Sequence, residues 1–225
     1  MQNETTTNSN SNDDLKSLEN EIREAVASGA HVQETVHRLT LKAINAERID
    51  FDSIQRIVNA AMQGIHDGAT QRFQNINQQA DTAKSQITDA VSGLDAALAS
   101  LAQASQLAVE EATSNAKKFS DTELTRTLSD LESLEGLFLD TLHKTATTAQ
   151  GLLADILHDL SRHAATHGTV VGSQLKETLD TFAQQIASAG KAQVATGASL
   201  AHTTADLVSK IASGVLDGIN EQGKR

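Results

Sequence analysis

Four side chains in this chain have the types and the spacing to bind a divalent metal: Asp155, Asp159, His163 and His167. They recur at every fourth residue, so on an α-helix they stand one above another along one face. Neutral imidazoles and carboxylates on adjacent turns can ligate a divalent ion, and metal sites in helical bundles use inward-facing Glu and His. A ladder alone does not make such a site. The sequence holds no HExxH pair and no second segment with a matching cluster, and the ladder flanks the neighbouring apolar stripe instead of centring on it. The reading is therefore a solvated polar face, with no metal and no cofactor expected. Other chemistry is equally thin. No Gly-rich loop follows a strand, no turn has the character of a nucleophile elbow, and there is no Cys to supply a thiolate. No catalytic residue is named, and no enzymatic activity is expected.

The elements that would carry these side chains are helices. The chain of 225 residues has no Pro, no Trp, no Tyr and five Phe. Without Pro the strongest helix breaker is missing. With few aromatics, burial must come from Leu, Ile, Val and many Ala. The organising stretch is Asp52 to Phe119, read as one uninterrupted amphipathic helix. Its small or apolar positions are Ile54, Val58, Ala61, Ile65, Ala69, Phe73, Ile76, Ala80, Ala83, Ile87, Val91, Leu94 and Leu98. Their mean spacing is about 3.67 residues, the period of an 11-residue repeat rather than of a heptad coiled coil. At ~1.5 Å per residue such a helix would be roughly 100 Å long. Gly64 and Gly68 are read as a locally flexible point, each costing ~1 kcal/mol relative to Ala. Close helix approach at Gly-xxx-Gly is set second, because that motif's force belongs to membrane spans.

Residues 1–12 form a polar tail with nothing to bury and are expected to be disordered. Residues 13–51 hold two short helices, separated at Ser28-Gly29 and ending near Glu47, with Asp52 as N-cap of the long helix. A second long helix starts at Asp121. Ser120 and Glu123 match a capping box there, and Phe119 and Leu124 a hydrophobic staple. This Leu-rich helix runs to about His167, although its stripe lapses at Thr145–Gln150. Gly168 suits the position after its end and Thr169 the next N-cap. A third long helix runs from Val171 to Ile219, and residues 220–225 should fray. The expected fold is all-α: elongated antiparallel hairpins in a bundle of three long helices over 52–219, preceded by two short ones.

The net charge of −11 is spread over both halves. No basic face or tail emerges, so nucleic acid is not expected as a partner. No window approaches the ~18 apolar residues of a membrane span. The first residues show no apolar signal segment, and the lack of Cys suits a reducing compartment, so a cytoplasmic location is expected.

The Ala/Gln/Thr-rich, Pro-free helices, such as Phe73–Ala80 (FQNINQQA) and Ser92–Leu98 (SGLDAAL), resemble phasins, which coat bacterial polyester granules, and more loosely exchangeable apolipoproteins. The 11-residue period also resembles that of late-embryogenesis-abundant proteins, which implies, as a third reading, a stress-protective helical protein that folds only when dried or bound. The stretch Phe119–Leu142 (FSDTELTRTLSDLESLEGLFLDTL) resembles an uncharacterised family of helical bacterial proteins. The phasin resemblance implies a non-enzymatic coat or scaffold that adsorbs to a hydrophobic granule or lipid surface. No functional residues carry over from the resemblance; the apolar spacing itself gives the surface- or partner-binding stripe as Phe73, Ile76, Ala80, Ala83, Ile87, Val91, Leu94 and Leu98. The alternative is a helical module whose stripes pack against a partner protein or a second copy of the chain as a homo-oligomer.

Overall fold

The computed structural model describes residues 4–46, 50–75, 80–114 and 121–192, and the side chains of 12–46, 50–74, 81–108, 110 and 129–183. The described residues are all-α: α1 (Glu4–Ser28), α2 (Val32–Ala46), α3 (Phe51–Asn75), α4 (Ala80–Ser114), α5 (Asp121–Thr148), α6 (Gly151–His167) and α7 (Val170–Ala192). Helix α1 starts at Glu4, inside the polar segment expected to be a tail, where no Gly or Pro opposes a helix. The frayed end expected at 220–225, and the final part of the third long helix, lie outside the described residues.

The chain divides into two compact units, one of residues 1–97 with 136–169, the other of 98–135 with 170–225. The single bundle expected over 52–219 is thus apportioned between them.

In the first unit α1 and α2 pack together across a link in which Gly29 (φ 74°) and His31 (φ 49°) take left-handed conformations. The Gly29 N–H donates to Ala25 O at 3.0 Å, closing the end of α1. Helix α3 lies along α1 in the same direction. Gly64 abuts Glu19 and Ile22, Gly68 abuts Arg23 and Val26, and Arg72 Nη1 donates to Ala27 O at 2.9 Å and Ser28 O at 3.2 Å. Helix α4 instead follows α2. Gln86 Nε2 donates to Gly29 O at 3.3 Å, and Gly93 abuts Gln33 and Val36. Since α2 runs back along α1, α4 must run back along α3. The uninterrupted helix expected from Asp52 to Phe119 is therefore two helices in a hairpin, on either side of residues 76–79. Among the described residues the longest helix is α4, with 35 residues and a rise of about 52 Å.

The helix expected from Asp121 to His167 is also a hairpin. The rings of His143 and His158 lie 6.3 Å apart, whereas one continuous helix would separate those residues by about 22 Å along its axis. The break falls at Ala149–Gln150, within the lapse of the stripe, and Gly151, the first residue of α6, has φ 59°. Helix α5 begins at Asp121 as expected, while the side chains of the Ser120 capping segment lie outside the described residues. Gly168 (φ 84°) donates its N–H to Ala164 O at 2.9 Å, and α7 follows directly after Thr169.

The N-cap of α3 is Asp50 rather than Asp52. Asp50 Oδ1 accepts from Ser53 N at 2.8 Å, and its carbonyl accepts from Ile54 N at 3.0 Å. Asp52 is already inside the first turn, where its charge meets the positive end of the helix dipole.

The core of the first unit is aliphatic. Ile22, Val36, Val58, Ile65, Ile87, Leu94, Phe138, Leu142 and Leu157 are each no more than 1 % exposed. In the second unit Leu98, Ala102, Leu134, Val171 and Phe182 are buried. A polar bridge accompanies them. Thr178 Oγ1 donates to Ala102 O at 3.3 Å, Gln106 Nε2 to Thr181 Oγ1 at 3.2 Å, and Gln174 Nε2 to Gln106 Oε1 at 3.4 Å.

Candidate functional site

The apolar stripe is the first candidate. Ala83, Ile87, Val91, Leu94 and Leu98 are buried, none more than 6 % exposed. Phe73 is half-buried near the end of α3. Ile76 lies outside the described residues, as does the side chain of Ala80. In the folded chain these five α4 positions therefore point inward, and α4 completes its buried face with further Ala at positions 90, 97, 99, 102, 104 and 108. Large apolar side chains on the outside are scattered among the described residues: Leu107, Leu152 and Val170.

The second feature is a glycine seam. A β-carbon at Gly64 would lie 2.5 Å from Glu19 O, at Gly68 2.6 Å from Arg23 O, and at Gly93 2.4 Å from Gln33 O. Each of these glycines lets a neighbouring helix backbone approach to contact. The flexible-point reading of Gly64 and Gly68 is corrected: they are a docking surface for α1. A signal was present in the sequence, since Gly in a helix interior costs ~1 kcal/mol and is retained where something needs the space. Gly93, inside α4, carries the same signal.

The third is the ladder on α6. Asp155, Asp159, His163 and His167 are all exposed. Asp159 pairs with Arg162, and the rings of His163 and His167 stack at 4.3 Å between centroids, 23° from parallel. Among the described residues no three His, Asp or Glu side chains are grouped so as to hold a metal ion together.

The fourth feature carries no periodic or motif signal in the sequence. Around the link between α1 and α2, an open cleft of about 480 Å³ is lined by residues that include His31, Glu34, His37 and, from α4, Asp89. His37 is half-buried, and that burial lowers its pKa from the ordinary 6.5 because the charged imidazolium loses water. The cleft brings together polar groups of two helices, and no nucleophile stands in it beside a base.

No described helix is long and apolar enough to cross a membrane. No curated protein and no solved structure matches the chain. A model described as a family of unknown function (DUF6781) covers residues 8–224, and the chain belongs to that family.

Proposed function

We propose that the chain is a non-catalytic, amphipathic helical coat protein of the cytoplasm, phasin-like in mode of action, which adsorbs to a hydrophobic granule or lipid surface by opening its bundle. The observation that carries this reading is the Ala-rich inner face of α4. Ala side chains bury little area, and burial contributes about 25 cal/mol per Å². A face built this way gives up little when it leaves its neighbours, and adsorption strength scales with the apolar area it then places on the surface. Ile87, Val91 and Leu94 supply the larger contacts.

The test is binding of the purified protein to neutral oil droplets and to polyester beads, with circular dichroism to follow helix content. Adsorption should survive high salt, because the attraction is hydrophobic, and α4 should stay helical while its side chains exchange bundle for surface. Replacing Ile87 and Leu94 by Ser should weaken adsorption more than replacing Asp81 and Asp89 by Ser. A stable, helical protein with no affinity for either surface would eliminate the coat reading.

The second reading, a helical module for a protein partner or a second copy, is favoured by the burial of Ala83, Ile87, Val91, Leu94 and Leu98 in the free chain. A bundle that stays closed would present only its outer faces. Concentration-dependent association by sedimentation, without affinity for droplets, would select it.

A further inference from the structure

We propose that the α1–α2 hairpin is a strap, which lifts as one unit from the α3–α4 hairpin when the latch at its tip, Arg72 with Gln86, lets go. The seat of the strap is two rows of small residues. On α3, Ile57, Ala61, Gly64, Gly68 and Arg72 follow at spacings of 4, 3, 4 and 4, so they stand on one helix face. On α4, Gln86, Ala90, Gly93 and Ala97 follow at 4, 3 and 4 and share a face likewise. Gly64 and Gly68 meet the backbone of α1, and Gly93 that of α2. Each row therefore carries one helix of the strap. Gly and Ala present little apolar area, so burial along the rows holds the strap weakly for its length.

The latch closes both rows at the same end. Arg72 Nη1 donates to Ala27 O at 2.9 Å and Ser28 O at 3.2 Å, and Gln86 Nε2 donates to Gly29 O at 3.3 Å. Successive carbonyls at the turn of the strap are thus held by one side chain from each arm of the other hairpin. The covalent connection between the hairpins lies at their far end, where α2 finishes at Ala46 and α3 starts at Phe51. No other stretch of chain joins them, so release of the tip leaves the strap free to lift.

The closed state carries a cost at these same residues. Among the described residues, the buried side-chain polar atoms without a partner are Thr40 Oγ1, Asn45 Nδ2 and Oδ1, Arg72 Nε and Gln86 Oε1. All of them belong to α2 or to the latch. Seating the strap withholds water from these atoms, which offsets part of what the latch hydrogen bonds contribute. Helix α3 has a separate support, because Thr141 Oγ1 of α5 donates to Asn59 Oδ1 at 3.4 Å. Lifting the strap uncovers Ile57, Ala61, Ala90 and Ala97 on the seat, and Ile22 and Val36 on the strap, each no more than 1 % exposed in the closed chain. On the coat reading, on which this last consequence rests, these faces are the first to reach a hydrophobic surface.

The experiment is amide hydrogen exchange of the full chain, free in solution, followed residue by residue by NMR. Two separated helices lose the packing that sustains them, so amides along the whole of α1 and α2 should exchange through one common opening. Arg72→Gln should speed that exchange about tenfold and Gln86→Ala about threefold, with α6 unchanged. Arg72→Lys keeps a charged donor and should speed it less than Arg72→Gln. Circular dichroism should show unchanged helix content in all three variants. Acceleration confined to the tip, or spread equally through α6, would overturn the strap. Adsorption to neutral oil droplets then tests the strap as the gate to the surface, because the adsorption rate should rise by the same factors as exchange. Adsorption at an unchanged rate would overturn the gate and leave the coat reading standing. No adsorption by any variant would remove the coat reading alone, since the exchange pattern decides the strap without a surface.

Discussion

Substituting alanine for glycine should move stability in opposite directions at two kinds of site in this chain. At Gly136, on an outer face of α5, a β-carbon would meet nothing within 4 Å. Gly136→Ala should therefore deliver the helix-propensity gain alone, about 1 kcal/mol. At Gly64 the same atom would sit 2.5 Å from Glu19 O, and at Gly68 2.6 Å from Arg23 O. Ordinary contact begins near 3.4 Å, so α1 and α3 would have to part by roughly 0.9 Å, a gap that forfeits a quarter to a half of each dispersion contact it opens. The struck atoms are backbone carbonyls and cannot rotate away. Overpacking of this sort costs about 1–3 kcal/mol, and the upper end applies here. Less the propensity gain, Gly64→Ala or Gly68→Ala should lose about 2 kcal/mol. The contrast with Gly136→Ala is then about 3 kcal/mol for one identical chemical change. Urea unfolding followed by far-UV circular dichroism measures it, provided the slope with urea stays constant across the variants. If all three variants shift the midpoint the same way, α1 does not dock on α3 through these glycines.

Two further outcomes follow from local chemistry. Asp50→Ala removes the acceptor of the Ser53 amide and should cost about 1 kcal/mol, with Asp52→Ala costing clearly less, in the same urea assay. The order would reverse if Asp52 were the cap. His37 has a folded pKa below its ordinary 6.5, so as pH falls from that value the unfolded chain takes up its proton first and stability drops, until the folded imidazole is protonated as well. Urea midpoints measured through this window should fall with acid, and His37→Gln should fall less steeply. Parallel curves would show that burial of His37 does not couple to folding.

The all-α class was legible because it rests on what the chain lacks and on local punctuation. Pro is absent, and Gly29 and Gly168 stand where α1 and α6 end. The reversal between α3 and α4 was hidden. No Gly or Pro lies between Gly68 and Gly93, and the apolar phase continues from one arm into the other because both arms face one core. In α5 and α6 the sign was present, since the stripe lapsed over Thr145–Gln150, yet a lapse can equally mark a helix that merely stops packing. Asp50 and Asp52 both suit a helix start, and only the backbone conformation decides which one caps. The stripe posed a different limit. A periodic apolar face states that something covers it, and Ile87 and Leu94 read the same whether that cover is the rest of the bundle or an oil surface.

Arg72 closes α1 from a distance: its guanidinium takes the carbonyls of Ala27 and Ser28, the last residues of a helix that precedes it by more than forty positions. During synthesis those carbonyls can only be served by water until Arg72 has left the ribosome. At 5–20 residues per second the lag is about 2–9 s, whereas helix formation takes microseconds or less. Over that interval the end of α1 opens and closes many times without its partner. The nascent chain thus carries a first hairpin with a loose tip, and the third helix to emerge is the one that ties it.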